Sequence, residues 1–441
     1  MLILHLSDLH FSEQHNASFY DLARQYRNEL YNDCYKLLKQ VGSLDLVLIT
    51  GDVAKAGKSE EYRVILSWFK DHLARLIHKP LSDALKVVPG NHDIDRAVIS
   101  SSPTLHEIQN SLRLCPLDNL DERLSTFLTQ DSTAQELLYR PLHSYNKFAG
   151  LFGCSISAKQ PYWENDYPLT TGYTIRIRGM NSTLVSDSKI DNDTSGRLVL
   201  GRHQTIMTRE PGIIYLTACH HPPEWLRDGG MMKRILNKYA SIQLFGHLHE
   251  AAFEANYLRS LRVHAGAVQP KIQPGYVPTY ELLKVNPLPE RGNLQVLLYI
   301  RMWDELQQSF IAYPDEDGNM YHTFDLELST IEVTGALSTP AELHDRTGRH
   351  FQPLDADHII VSGNSQDPHN SPWDPEDLEQ WFLRFASLPY LTRVQIARRY
   401  GVDTGNKKIF GSERLLFQAI ENAARKRNAI SDLQKEISRK P

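Results

Sequence analysis

Little in this 441-residue chain would staple it covalently or tie it to a membrane. It has only four cysteines (Cys34, Cys115, Cys154 and Cys219), scattered and without a CxxC pair. That excludes a disulfide scaffold and a thiolate zinc site, and it fits a reducing, cytoplasmic setting. No apolar run approaches the roughly 18 residues a membrane span needs, so no membrane partner is expected. The first residues, Met1-Leu-Ile-Leu-His-Leu-Ser-Asp8, lack a basic stretch and meet an acidic side chain at once, unlike a signal peptide. Charge of one sign is not in excess. Lys plus Arg is 48 and Asp plus Glu is 53, for a net charge of -5. This excludes a wholly basic nucleic-acid coat and an acidic disordered chain alike. Internal repeats are missing too. What remains is ordinary globular composition, 41% hydrophobic and 23% charged. The length suits two or three domains, or one large enzyme domain with an appendage. The 19 histidines are the one unusual count.

Apolar periodicity predicts strands at Leu2–Ser7, Leu44–Thr50 and Leu85–Val88, with helices at Tyr20–Val41 and Glu60–Ile77 between them. This βαβαβ order implies an α/β fold with a largely parallel sheet. Residues 98–165 read as a helical insertion with a loop around Pro161-Tyr-Trp-Glu-Asn-Asp166. Strands follow at Tyr173–Arg178, Thr183–Ser186, Gly212–Ala218, Ile242–Phe245 and Arg262–Ala265, with a helix at Met231–Tyr239. Gln295–Trp303 and Tyr321–Leu328 alternate apolar and polar residues, which predicts a late β hairpin within 286–331 around the turn Pro314–Gly318. Residues 332–373 read as a linker rich in Gly, Ser, Pro, Asp and His. A small helical domain over 374–441 is expected, with Leu378, Trp381, Phe382 and Phe385 on one helix face.

Five short segments end predicted strands: Ser7-Asp-Leu-His10, Thr50-Gly-Asp-Val53, Pro89-Gly-Asn-His-Asp93, Cys219-His-His-Pro222 and Phe245-Gly-His-Leu-His249. In α/β sheets, ligands and catalytic groups collect beyond the carboxyl ends of strands. Asp8 with His10, and His247 with His249, are spaced by two, which on extended chain turns both side chains to one face. Carboxylates with imidazoles are divalent-metal ligands. Asp52 follows a glycine that lets the backbone turn tightly, and Asn91 offers an amide oxygen. With His220 the inventory is two carboxylates, one amide and four imidazoles. That exceeds what one tetrahedral ion needs and suits two ions sharing a bridging carboxylate, an arrangement used for phosphoryl chemistry.

The order DxH, GD, GNHD, a histidine before proline, and GHxH resembles the calcineurin-like metallophosphoesterase family over about residues 1–285. The resemblance implies an αββα sandwich of two mixed sheets, here filling residues 1–331. It implies two divalent ions, with Mn, Fe or Zn suited to these ligands and Mn favoured. Asp8, His10 and His249 would hold one, Asn91, His220 and His247 the other, and Asp52 would bridge them. His92 would be the catalytic residue, protonating the leaving oxygen or stabilising charge. Asp93 would support His92 or the neighbouring histidines. The family ligand is usually the first residue of H-x-P, so His221 falls to substrate binding or to a supporting place. After Asp52 the chain reads Val-Ala-Lys-Ala-Gly57 where many protein phosphatases of the superfamily have Asp-Arg-Gly, and it has Asp93 where they have Glu. Both departures point toward phosphodiesterase-like members.

Arg96 is placed either to clamp a substrate phosphate or in a structural salt bridge. Lys55 and Lys58 read first as solvated loop lysines, Trp225 as core or as a wall of the pocket, and Asn181-Ser182 as a turn or part of the site lining. Residues 401–441 hold nine Lys or Arg against five Asp or Glu, so the tail either contacts nucleic acid or is a solvated helix face. Leu388–Gly401 resembles the small helical adaptor domains appended to bacterial conflict-system effectors, and His220–Leu226 with Gly246-His-Leu-His249 resembles metallophosphoesterases from such systems. The expected function is a two-metal phosphodiesterase acting on nucleic acid or nucleotides, in the setting of phage defence. The alternatives are a cyclic-nucleotide or phosphomonoester hydrolase, and an inactive scaffold recruiting a protein partner through its C-terminal domain.

Overall fold

The computed structural model describes residues 1–12, 21, 23–169, 172–187, 193–256, 259–269, 277–315 and 317–328, and in the C-terminal segment 381, 384–385, 393, 396–397, 399–400, 402, 413–427 and 429–438. The expected linker at 332–373, and Leu378 and Phe382, lie outside the described residues.

Strands β1 (Leu2–Leu6), β2 (Leu46–Ile49) and β3 (Leu85–Val87) pair in parallel and are buried at every position. Continuous apolar runs such as Leu46-Val-Leu-Ile49 suit strands covered on both faces. The helix Ala23–Val41 joins β1 to β2 and turns Leu30, Cys34 and Leu37 inward. The helix Ser59–Trp68 joins β2 to β3. Its first turn is fixed by Glu61, whose carboxylate accepts the backbone N–H groups of Ala56 and Lys58, each at 3.0 Å.

A run of helices from Arg96 to Ala149 follows β3. The chain then forms a second sheet from β4 (Trp163–Pro168), β5 (Thr174–Gly179), β6 (Ile213–Cys219), β7 (Ala240–Phe245), β8 (Ala252–Asn256) and β9 (Ser260–His264). Its order is β4-β5-β6-β7-β9-β8, with β5, β6, β7 and β9 parallel. The chain returns to the first sheet as β10 (Thr279–Leu288), β11 (Asn293–Asp304), β12 (Ser309–Tyr313) and β13 (His322–Glu327). β10 pairs antiparallel with β1 and β11 with β10; β12 and β13 then share the far edge of β11. The fold is the expected sandwich: two mixed sheets with helices, sharing one apolar core.

Three local expectations are corrected. Pro161–Asp166, read as a loop, overlaps β4. Trp163 lies opposite Gly179, and a side chain at 179 would strike the indole. The indole N–H donates to the Val87 carbonyl at 2.8 Å, and the Tyr145 hydroxyl donates to the same oxygen at 3.1 Å. The end of the insertion is therefore fastened to β3. Thr183–Ser186, read as a strand, is a turn, because the Asn181 side-chain oxygen accepts both the N–H and the hydroxyl of Thr183. The late strands do pair, as β11 with β13, but they extend the first sheet instead of standing alone as a hairpin. Pro314–Gly318 connects β12 to β13. The long strand β10 escaped detection because the buried Glu281 interrupts its apolar run.

In the C-terminal segment the helices Glu413–Lys426 and Ile430–Ser438 pack around a second apolar cluster that includes Phe385, Tyr400, Phe417, Ile420 and Leu433, with Trp381 against it. No helix among the described residues is long and apolar enough to cross a membrane.

One buried polar knot ties the first helix to the sheet. Asp33 accepts both guanidinium N–H groups of Arg301 at 2.7 Å and the Tyr280 hydroxyl at 2.6 Å. Removing one partner of such a pair leaves the other charge buried and unmatched, at a cost of about 3–5 kcal/mol. Asp33→Ala should lose that much in urea unfolding of the full chain. A loss under about 1 kcal/mol, the scale of a surface pair, would show that the knot is solvent-screened.

Candidate metal centre

All five motif segments lie at the carboxyl ends of parallel strands, three from one sheet and two from the other, and they meet at one end of the sandwich. The expected extended spacing of Asp8/His10 and His247/His249 is not what brings them together. Asp8, His10, Asp52, His247 and His249 have φ of 53°, 43°, 51°, 71° and 59°. Among the described residues, Gln308 is the sole other non-glycine with positive φ. Left-handed backbone costs an L-residue of order 1–3 kcal/mol, and such strain gathers at functional sites. Here it turns each chain sharply as it leaves its strand and directs the ligand side chains inward.

The loops hold one another. Asp8 N–H donates to the Gly51 carbonyl (3.1 Å) and His10 N–H to the Asp52 carbonyl (2.9 Å). His247 N–H donates to Asp8 Oδ2 (3.0 Å) and His92 N–H to Asp52 Oδ1 (2.7 Å). Gly51, at φ 93°, has no room for a Cβ, which would come within 2.6 Å of His220 Nδ1.

The side chains form two groups with Asp52 between them. In the first, Asp8 Oδ1 lies 3.1 Å from His249 Nε2 and 3.6 Å from His10 Nε2. In the second, His220 Nε2 lies 3.1 Å from Asn91 Oδ1 and 3.3 Å from His247 Nδ1. Asp52 Oδ2 sits 3.7 Å from His10 Nε2 and 3.4 Å from His220 Nε2. Donors bound at about 2.0–2.2 Å to one ion stand about 3.0–3.4 Å apart; four of these separations fall in that range and the two to His10, 3.6 and 3.7 Å, lie just above it, an arrangement suited to two ligand shells sharing a carboxylate. His10 Nε2 is buried without a hydrogen-bond partner, which is the expected state of an imidazole awaiting an ion. His220 donates Nδ1–H to the Thr50 carbonyl at 2.7 Å, which turns Nε2 toward the other ligand atoms.

Electrostatics agree. Burial alone would raise the Asp8 carboxyl, but His10 and His249 outweigh it and hold it well below the usual carboxylate range. For Asp52 burial is likewise overcome, chiefly by His220, and the group is depressed. His220 pays the same burial penalty yet is raised to about 9 by Asp52. Burial pushes His247 down to about 3 and His221 well below its ordinary value.

The other candidates are placed as follows. His92 rests beside His10, ring centroids 4.6 Å apart, and its Nδ1 faces the Lys55 carbonyl at 2.8 Å. Asp93 does not reach the histidines. Fully buried, it accepts N–H groups from Ala54 (3.0 Å) and Gly90 (2.9 Å) and the Tyr62 hydroxyl (3.0 Å), so it clamps the two ligand loops together. Arg96 is partly exposed, with Asp193 4.0 Å away. Lys58 pairs with Asp95 at 2.6 Å. Trp225 packs edge-on against His247 with ring centroids 4.1 Å apart, so it walls the second group. His221 is fully buried and faces Ser182 Oγ through Nδ1 at 2.8 Å. Sequence reasoning missed the Thr50 carbonyl, which carries no side-chain signal, and left Asn181-Ser182 between a turn and the site lining.

The calcineurin-like phosphoesterase family matches residues 1–251. No curated protein matches. Among solved structures, a dimetal phosphatase from Danio rerio is 9% identical with a TM-score of 0.39, covering 75% of this chain and 99% of that one. A 5'-nucleotidase from Candida albicans is 10% identical with a TM-score of 0.36, covering 70% and 52%. Wild-type Vps29 with zinc from Entamoeba histolytica is 13% identical with a TM-score of 0.28, covering 74% and 99%.

A Cβ at Gly90 would meet the Asp52 carboxylate and backbone. Gly90→Ala should therefore weaken divalent-ion binding, read by isothermal titration, by at least about tenfold while the far-ultraviolet circular dichroism stays unchanged. Gly230→Ala, at an open helical position, should change neither. Unaltered affinity in Gly90→Ala would show that Asp52 is not held in place by this close approach.

Proposed function

Because the chain belongs to the calcineurin-like phosphoesterase family, we propose that it hydrolyses phosphate diesters with two bound divalent cations, on a nucleic acid or nucleotide. The observation that carries this reading is Asp52 Oδ2 lying between a first donor group (Asp8, His10, His249) and a second (Asn91, His220, His247). Paired cations supply an activated water and neutralise developing phosphoryl charge. The chain's own residues do the rest. Asp52 sets the spacing of the two groups, and its Oδ1, held by the His92 N–H, cannot rotate away. His92 acts as the general acid. With Nδ1 donating to the Lys55 carbonyl, the ring is fixed and Nε2 carries the proton that the leaving oxygen takes. Nε2 carries that proton only in the imidazolium form, and because burial lowers His92 this acid form is populated at low pH and is lost as pH rises. Arg96, partly exposed and with Asp193 4.0 Å away, grips a phosphate oxygen of the substrate. Asp93 and the Val53–Gly57 stretch favour a diester over a phosphoprotein. The basic stretch 401–441, with nine Lys or Arg against five Asp or Glu, extends the contact to a longer nucleic acid, which suits a role in phage defence.

Asp52→Asn should bind fewer than two ions and lose about 10²-fold or more of its turnover of bis(4-nitrophenyl) phosphate. Two ions with near wild-type turnover would refute the bridge. The wild-type protein should cleave this diester and single-stranded DNA faster than 4-nitrophenyl phosphate; the reverse order would make it a monoesterase.

His92→Ala should keep both ions yet lose about 10²–10⁴-fold on a nucleotide substrate, whose alkoxide needs a proton, and less on a nitrophenolate ester. Equal losses on both would assign His92 to charge stabilisation.

A further inference from the structure

One buried imidazole has no task in this scheme. His221 and Ser182 are both fully buried. Ser182 Oγ faces the His221 backbone N–H at 3.3 Å and its Nδ1 at 2.8 Å. A hydroxyl has two lone pairs and one proton. Accepting both N–H groups of His221 uses both lone pairs. That arrangement puts the His221 proton on Nδ1 and leaves a lone pair on Nε2. Nε2 is buried and has no hydrogen-bond partner. An orphaned buried acceptor costs about 1–3 kcal/mol unless something fills it.

The surroundings indicate what does. The His221 ring lies 4.6 Å from that of His220 and 4.5 Å from that of His247, centroid to centroid. One nitrogen from each of the three rings lies within 4.8 Å of the other two. We propose that His221 is a third imidazole ligand of the cation held by Asn91, His220 and His247, and that Ser182 is the positioning residue that fixes its tautomer. The proposal rests on the two-cation reading above. It makes the two positions chemically unequal. The first offers Asp8, Asp52, His10 and His249, an even mixture of oxygen and nitrogen. The second offers three imidazoles with Asn91 and Asp52. Imidazole-rich shells favour zinc, cobalt or iron over manganese, so the second position takes the later metal and manganese is confined to the first.

The test uses the full-length protein stripped of metal and titrated with Co²⁺, Zn²⁺ or Mn²⁺, followed by calorimetry and by the visible absorption of Co²⁺. Wild type should take up two Co²⁺ ions with distinguishable affinities and spectra. His221→Gln should weaken one of them about 10–100-fold, change its absorption and leave the other untouched. Ser182→Ala should weaken the same ion about tenfold, and Ser182→Thr, which keeps the hydroxyl, should restore it. The zinc-over-manganese preference should fall in His221→Gln. Two ions with wild-type affinities and spectra in both His221→Gln and Ser182→Ala would overturn the proposal, and a rise in substrate KM alone would move His221 to substrate contact. Those results leave the two-cation reading standing. Uptake of fewer than two ions by wild type would overturn that reading and this proposal with it.

Discussion

The structure depends on keeping the Asp52 carboxylate charged where almost no water reaches it. Its exposure is 1%, and the carboxylates of Asp8 and Asp93 are also fully buried. Several kcal/mol of desolvation per ion would normally neutralise or expel such groups. Here each has a different answer. Asp8 and Asp52 are offset by imidazoles, with His220 raised to about 9 by the pairing. Asp93 has backbone N–H donors and a tyrosine instead, and burial with the nearby charge of Asp52 lifts it to about 6. The two ligand carboxylates are thus kept charged by neighbouring imidazoles, a place that two cations at the centre of the cluster would take over from protons.

That requirement reaches into the backbone. Inward-facing ligands demand left-handed residues, left-handed residues demand outside support, and the support comes from the interlocked N–H donors of Asp8, His10, His92 and His247. Gly51 and Gly90 then follow from proximity alone, since any side chain there would occupy the space of His220 or Asp52. The parallel strands, buried throughout, supply the rigid posts from which these loops leave.

How far the amino-acid sequence could be read follows from the range of each interaction. The five motif segments were legible because ligand chemistry restricts residue type and because each follows an apolar strand. Buried β1, β2 and β3 were legible from runs such as Leu46–Ile49. The left-handed geometry at Asp8 and His249 was not, since aspartate and histidine adopt either conformation and the choice is made by partners more than 40 residues away. Strand β4 was hidden because its Pro, Asn and Asp content is that of a turn, and what makes it a strand is Gly179 yielding space to Trp163. Asp93 looked like a partner for histidine, yet the acceptor it provides is used by amides of a loop that only folding brings near.

The anchoring of Trp163 and Tyr145 on the Val87 carbonyl also bears on the length of the insertion. The helical insertion leaves the first sheet just after Asp93 and is pinned back to the strand that precedes this same loop. A segment moored at both ends beside one strand is a closed excursion, whose length adds little to the entropy of closing it. A change in its length would therefore cost little in closure entropy. The molecule thus has a chemical end carried on the ligand loops and a helical flank that is moored to β3 and also grips the 181–187 turn, through Gln109 on the Leu184 and Ser186 carbonyls and Arg113 on Asp187.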